Sequence, residues 1–322
     1  MAPLAEKSLL LDGQLVGSRL VVVGERGHIL VSDDAGRSWQ QRPVPTRATL
    51  TSVFFADERF GWAAGHDAVI LRTMDGGESW TQVYEDLEGE RPILDLWFMD
   101  ARFGYAVGAY GLFLVTTDGG ETWEERAFAA VPPVASAVAE ESDREEWFND
   151  EAALGEDVHL NQLRESASGR LYIAAEAGHF YRSDDCCHSW LSMTPPYEGS
   201  FFGVLPLQQE ALLLYGLRGN LLFSPDAGET WSFEETGTSA TLNDAIRLQD
   251  GRIVLVGLAG TLLVSRDDGR TFTAYQQADR TGLVRVLEAQ DGHLILIGEH
   301  GVRRVSLPTP EPLPQVHREG RS

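Results

Sequence analysis

Acid–base cleavage of a glycosidic bond needs two carboxylates about 5–9.5 Å apart across a cleft. Asp67, Asp95, Glu176 and Glu299 are the carboxylates of this chain whose positions suit that task, but nothing in their spacing pairs them. Four histidines, His28, His66, His179 and His300, follow turn residues at offsets of 4, 1, 4 and 2. Unequal offsets do not build a repeated ring, and a metal needs several ligands converging within about 2.0–2.2 Å. No metal site and no cofactor are therefore expected. Cys186 and Cys187 are adjacent and close only a strained ring, so free thiols in a turn are expected, with a redox switch as the alternative. The chain has no G-x-S-x-G elbow, H-E-x-x-H pair or Gly-rich phosphate loop.

The commonest carboxylate pattern is of another kind. An aspartate box, S/T-x-D-x-G-x-S/T-W, occurs around Asp34, Asp75, Asp118, Asp185, Asp226 and Asp267. It ends at Trp39, Trp80, Trp123, Trp190, Trp231 and, in the sixth copy, Phe272. In the fourth copy Cys187 stands where the others have glycine. A carboxylate in such a turn accepts backbone N–H bonds, the hydroxyls close the loop, and the Trp is expected to wedge between neighbouring units. Six carboxylates on six turns are too dispersed for one catalytic pair. The boxes are read as structural.

Spacings between the terminal aromatics are 41, 43, 67, 41 and 41 residues. A second mark counts seven units: Gly24, Gly65, Gly108, Ala175, Gly216, Gly257 and Gly298 each precede a third strand. Periods of about 40–50 residues belong to propellers and solenoids. Within one unit, LTSVFFAD, GWAAG, AVILRT and SWTQVYE (50–85) are short runs rich in β-branched and aromatic residues, separated by turn residues. The fold class is all-β, a seven-bladed β-propeller of four-stranded blades with Asp-box turns. It is expected to span 8–307, followed by a proline-rich tail, 308–322. That tail, or Met1–Lys7, would supply the fourth strand that blade seven lacks.

Composition narrows the partners. Lys and Arg number 26 against 49 Asp and Glu, a net charge of −23. Such a balance opposes nucleic acid and anionic membrane surfaces. No apolar run is long enough to span a bilayer. A 26-residue excess over the period falls between blades three and four, and residues 131–160 carry nine acidic side chains and one Arg. Trp147 and Phe148 lie inside this acidic insertion, beside Glu145, Glu146 and Asp150, with a short helix expected around 145–154. Propeller topology puts the insertion on the face of the second-to-third-strand turns, opposite the Asp boxes. That face also carries His66, Tyr110, Arg218 and His300. These nine residues form the candidate partner-binding set. The alternative for the insertion is a solvated loop.

Two blades, FFADERFGWAAGHDAVILRTMDGGESW (54–80) and WFMDARFGYAVGAYGLFLVTTDGGETW (97–123), resemble the photosystem II stability/assembly factor-like propellers, a branch of the BNR/Asp-box family. The pattern is aromatic–x–Asp, F-G-W/Y-A-x-G, then T-x-D-G-G-x-S/T-W. The resemblance implies a non-enzymatic factor, monomeric by itself, that binds a protein in a membrane complex without inserting into the membrane. For a non-photosynthetic bacterial member it also implies a link to resistance–nodulation–division exporters. The acidic balance departs from the arginine-lined patch of photosynthetic members. Sialidases, which share the repeat, need an F/Y-R-I-P segment that this chain lacks. A glycan-binding or glycoside-hydrolysing propeller is the alternative function. The amino terminus, MAPLAEKSLLLD, lacks the marks of a secretory signal. The expected location is the periplasm if a leader was removed, and otherwise the cytoplasm.

Overall fold

The computed structural model describes residues 2, 4–132 and 158–307. Seven antiparallel sheets follow one another around a central channel. The innermost strands are Leu10–Val16, Leu50–Phe55, Ile93–Phe98, Leu160–Glu165, Phe201–Pro206, Leu242–Arg247 and Leu283–Glu288. Second strands such as Gly61–Gly65, Leu171–Ala175 and Ile253–Gly257 are buried at every residue. Both of their faces lie between blades, which is why they read as unbroken apolar runs rather than alternating ones. Fourth strands are short and partly exposed.

Each blade interface holds its own apolar cluster. Val21, Ile29, Val53, Ala63 and Leu71 join blades one and two. The last cluster packs Leu10, Leu20 and Leu30 against Leu287, Ile295 and Ile297, and so closes the ring. At about 25 cal/mol per Å² of apolar surface, face-to-face packing on this scale is the main stabilising term.

Two sheets depart from four strands. Blade four gains a fifth, because Ala130–Val131 pairs in parallel with Trp190–Met193. Blade seven has three among the described residues, ending with Gly301–Val305. Ala5–Lys7 is a single 3-10 turn against that last strand, not a strand. The amino-terminal segment therefore does not complete the blade. The tail, 308–322, lies outside the described residues.

The marker glycines have a steric cause. A Cβ on Gly65 would lie 2.0 Å from the Thr49 carbonyl oxygen, where the chain enters the first strand. His66 N–H then donates to that same oxygen at 2.9 Å. Glycine makes this approach free of a side-chain clash, and in blade four, where the marker is Ala175, the equivalent bond from Glu176 N–H to His159 O is 3.1 Å.

On the Asp-box side, blades are latched by side chains that donate to the carbonyl of the residue after the next blade's box aspartate. Arg19 reaches Gly76 O, Trp62 reaches Gly119 O and Tyr105 reaches Cys186 O. Arg182 reaches Ala227 O, and Arg304 reaches Ala35 O across the ring closure.

Candidate partner-binding face and central channel

The six boxes share one geometry. Asp118 Oδ2 accepts the Thr122 hydroxyl at 2.6 Å, while Oδ1 accepts Thr122 N–H at 3.0 Å and the Thr116 hydroxyl at 2.9 Å. The Thr116 hydroxyl in turn accepts Gly120 N–H at 2.8 Å. Asp34, Asp75, Asp185, Asp226 and Asp267 repeat these bonds. Bonds from the Thr122 hydroxyl and N–H hold the Asp118 carboxyl down at about 2. Trp80 and Trp190 are buried, and Trp39, Trp123 and Trp231 pack partly buried, each against the cluster shared with the preceding blade.

Carboxylates depressed in this way make stability depend on acid. Their contribution is complete above the unfolded value of 3.8 and is lost as pH falls through that value toward the folded one. Urea midpoints should therefore fall between about pH 4 and pH 2, and Asp118→Asn should flatten part of that decline. A midpoint independent of pH across this window would contradict the assignment.

The fourth box keeps its geometry despite its cysteines. Cys186 and Cys187 are free, with φ of 56° and 68°, and Cys187 N–H still donates to Ser183 Oγ at 2.9 Å. Burial pushes the Cys187 thiol up, which keeps it protonated. Among the described residues no group of three or more His, Cys, Asp or Glu is placed to hold a metal.

On the opposite face, the second-to-third-strand turns present Arg26, Asp67, Tyr110, Ala177, Arg218, Ala259 and His300, all exposed. The first six adopt left-handed φ values of 54–60°. These turns touch the connections between blades: Asp86 N–H donates to Asp67 O, and Gly111 N–H to Val158 O. The chain thus re-enters the described structure at Val158 beside the blade-three turn. There Tyr110, 54% exposed, meets the His159 ring edge-on at 4.8 Å. His66, Arg218 and His300 occupy three other blades, so these residues share a face without converging on one cluster. Trp147, Phe148, Glu145, Glu146 and Asp150 lie outside the described residues.

The four candidate hydrolytic carboxylates are separated as well. Asp67 sits on the blade-two turn. Glu176 accepts His159 N–H at 2.8 Å, and Glu299 accepts Gly282 N–H at 2.9 Å, each clipping a connection. Asp95 is in the channel, where it accepts Leu163 N–H at 2.9 Å and Arg164 Nη1 at 2.7 Å.

Asp95 belongs to a belt that residue-by-residue reading missed. Every innermost strand carries a bulge between its first and third residues. The bulge turns the third residue sideways toward the next blade. Asp12 accepts Val53 N–H, Ser52 accepts Leu96 N–H, Gln162 accepts Val204 N–H and Asp244 accepts Val286 N–H. At blade five the position is Gly203, because Tyr215 Oη and Gln162 Oε1 would lie 2.3 and 2.6 Å from a Cβ there. In blade seven it is Arg285, whose Nη1 donates to Asp244 at 3.1 Å. Arg285 Nε lies 2.9 Å from Asp12 Oδ1 but without hydrogen-bond alignment, so this contact is an ion pair only. Burial pushes Asp12 and Asp244 up, with the Arg285 charge pulling back. For Arg285 burial works against the cation, but Asp12, Asp244 and Asp95 outweigh it and hold the guanidinium charged. The bulge residues Leu11, Leu94, Phe202 and Val284 line the remaining space, a cavity of about 420 Å³. The sequence signal was a polar residue two positions after the apolar residue that opens an inner strand, in every blade but the fifth. Its direction depends on a bulge that is not legible in residue types.

The motif-bearing blades carry a family likeness. The model of the family described as photosynthesis system II assembly factor YCF48 matches residues 16–92 and 84–147. Over those residues the chain is similar to the photosystem II assembly factor-like BNR propellers. Among curated relatives of this family, the chloroplastic photosystem II stability/assembly factor HCF136 of Cyanidioschyzon merolae is 32% identical over 91 residues, 26% of this chain and 21% of that protein. The photosystem II assembly protein Ycf48 of Thermosynechococcus vestitus is 38% identical over 42 residues, 13% of this chain and 12% of that protein. The alignments thus span about a fifth or less of these relatives' length. Among solved structures, YCF48 bound to D1 peptide superposes with a TM-score of 0.70 at 20% identity, covering 94% of this chain and 95% of that one. A streptogramin B lyase superposes equally well, with a TM-score of 0.71 at 13% identity over 95% of both chains. The fold is therefore common to assembly factor-like propellers and to an enzyme, and does not by itself choose between them.

Proposed function

We propose that this propeller is a non-enzymatic protein-interaction factor assisting a membrane-associated complex, and that it binds its partner on the face bearing Tyr110, with the acidic insertion 131–160 taking part. The family match carries the reading, and a structural relative bound to a peptide supports a protein partner. The exposed Tyr110 ring, beside the point where the chain returns at Val158, favours this face. Aromatic anchors are the residues on which binding energy concentrates. An exporter of the resistance–nodulation–division type is the proposed complex and the periplasm the proposed compartment.

Cross-linking pull-down should recover a partner with the intact chain and lose it when 134–156 are deleted or when Tyr110 is replaced by Ala. Identical partner lists, or none, would sink the reading. The rival, glycoside hydrolysis, predicts turnover that disappears with Asp67→Asn or Glu176→Gln. The separation of these carboxylates, each on its own blade, argues against it.

A further inference from the structure

The described arginines of this acidic chain mostly face carboxylates, as Arg19 faces Asp33 and Arg170 faces Glu210. Two arginines at a cavity on blade one break the rule. Arg26, Arg42 and Arg47 line a space of about 360 Å³ together with Gln41 and Thr46. Arg26 and Arg47 are exposed, and neither forms an ion pair among the described residues. Arg42 is mostly buried: Nη1 donates to Gln40, Nη2 donates to Glu78, and Nε is buried with no acceptor. Other buried arginine Nε atoms also lack acceptors, at Arg72, Arg182 and Arg285. The Arg42 nitrogen, like these, has no accessible surface, so the unpaired cations at the cavity are Arg26 and Arg47.

We propose that this cavity binds a multiply charged oxyanion of the phosphate class. Guanidinium groups match the in-plane oxygens of such anions and hold their charge at any physiological pH. Two unpaired guanidinium groups beside a third suit a diphosphate better than a single carboxylate. Soluble ligands fit better than a lipid surface, since a net charge of −23 repels anionic membranes. The site shares the face proposed for the partner but lies on blade one, away from Tyr110, and its test needs no partner.

The test is titration of the full chain with inorganic pyrophosphate by calorimetry, with thermal melting alongside. One-to-one binding and a raised melting midpoint are expected. Arg26→Ser with Arg47→Ser should weaken binding at least tenfold without moving the midpoint of the free protein, since both side chains are exposed. Arg218→Ser, on the same face, should bind as the parent does. No saturation at millimolar pyrophosphate, or equal loss in Arg218→Ser, would overturn the assignment. So would capture by phosphatidic acid vesicles without binding of pyrophosphate in solution.

Discussion

Arg285→Met is expected to destabilise the propeller by about 3–5 kcal/mol at neutral pH, the usual cost of removing one partner from a buried ion cluster. Arg285 touches blade seven through its own strand, blade six through Asp244 and blade one through Asp12. Asp12 is 7% exposed and Asp244 2% exposed. Methionine fills much of the same volume but leaves both carboxylates in low dielectric with only the weaker Arg164 charge to offset them. Their carboxyls are raised already, and in the variant they rise further. A raised folded pKa means that the folded state holds protons more tightly, so the variant gains stability as pH falls. The difference in urea midpoint between parent and variant should accordingly narrow from pH 7 to pH 5. Adding Asp12→Asn and Asp244→Asn should recover much of the loss, since an amide oxygen still accepts Val53 and Val286 N–H. A loss below about 1 kcal/mol, independent of pH, would show that the channel belt contributes little.

Trp62→Ala should cost about 3–5 kcal/mol, the range for emptying a large aromatic site. Trp62 is fully buried, and its ring stacks on Phe98 with centroids 3.5 Å apart and planes 10° apart. Its Nε1 donates to Gly119 O at 3.0 Å, at the next blade's box. Truncation therefore removes core packing and an interblade latch together. Trp62→Phe separates the two, because it keeps most of the apolar area and loses only the bond, for which about 1 kcal/mol is expected. Denaturant unfolding of both variants distinguishes the terms. Equal losses would mean that the hydrogen bond, not the packing, dominates. Tyr105 offers a milder version, donating through Oη to Cys186 O at 3.2 Å.

This latch explains why the F-G-W/Y-A-x-G element and the aspartate box recur together in blades two and three. The aromatic of one blade needs a carbonyl that the next blade's box holds in place. Arginine performs the same task from Arg19, Arg182 and Arg304, three positions with no common spacing in the sequence.

The sequence alone determined the number of blades, the box turns and the order of strands, because their chemistry is local. Asp118, Thr116, Gly120 and Thr122 lie within seven residues, and their bonds close without help from elsewhere. Gly65 likewise announces a crossing that every blade repeats. The tertiary structure decided what depends on long-range meeting. Residues 12, 244 and 285 become one ion cluster only because bulges turn their side chains sideways and the ring closes blade seven onto blade one. His66, Tyr110, Arg218 and His300 share a face as expected from topology, yet the ring's radius holds them apart. Asp67, Asp95, Glu176 and Glu299, read first as possible chemistry, are divided among four blades by the same geometry.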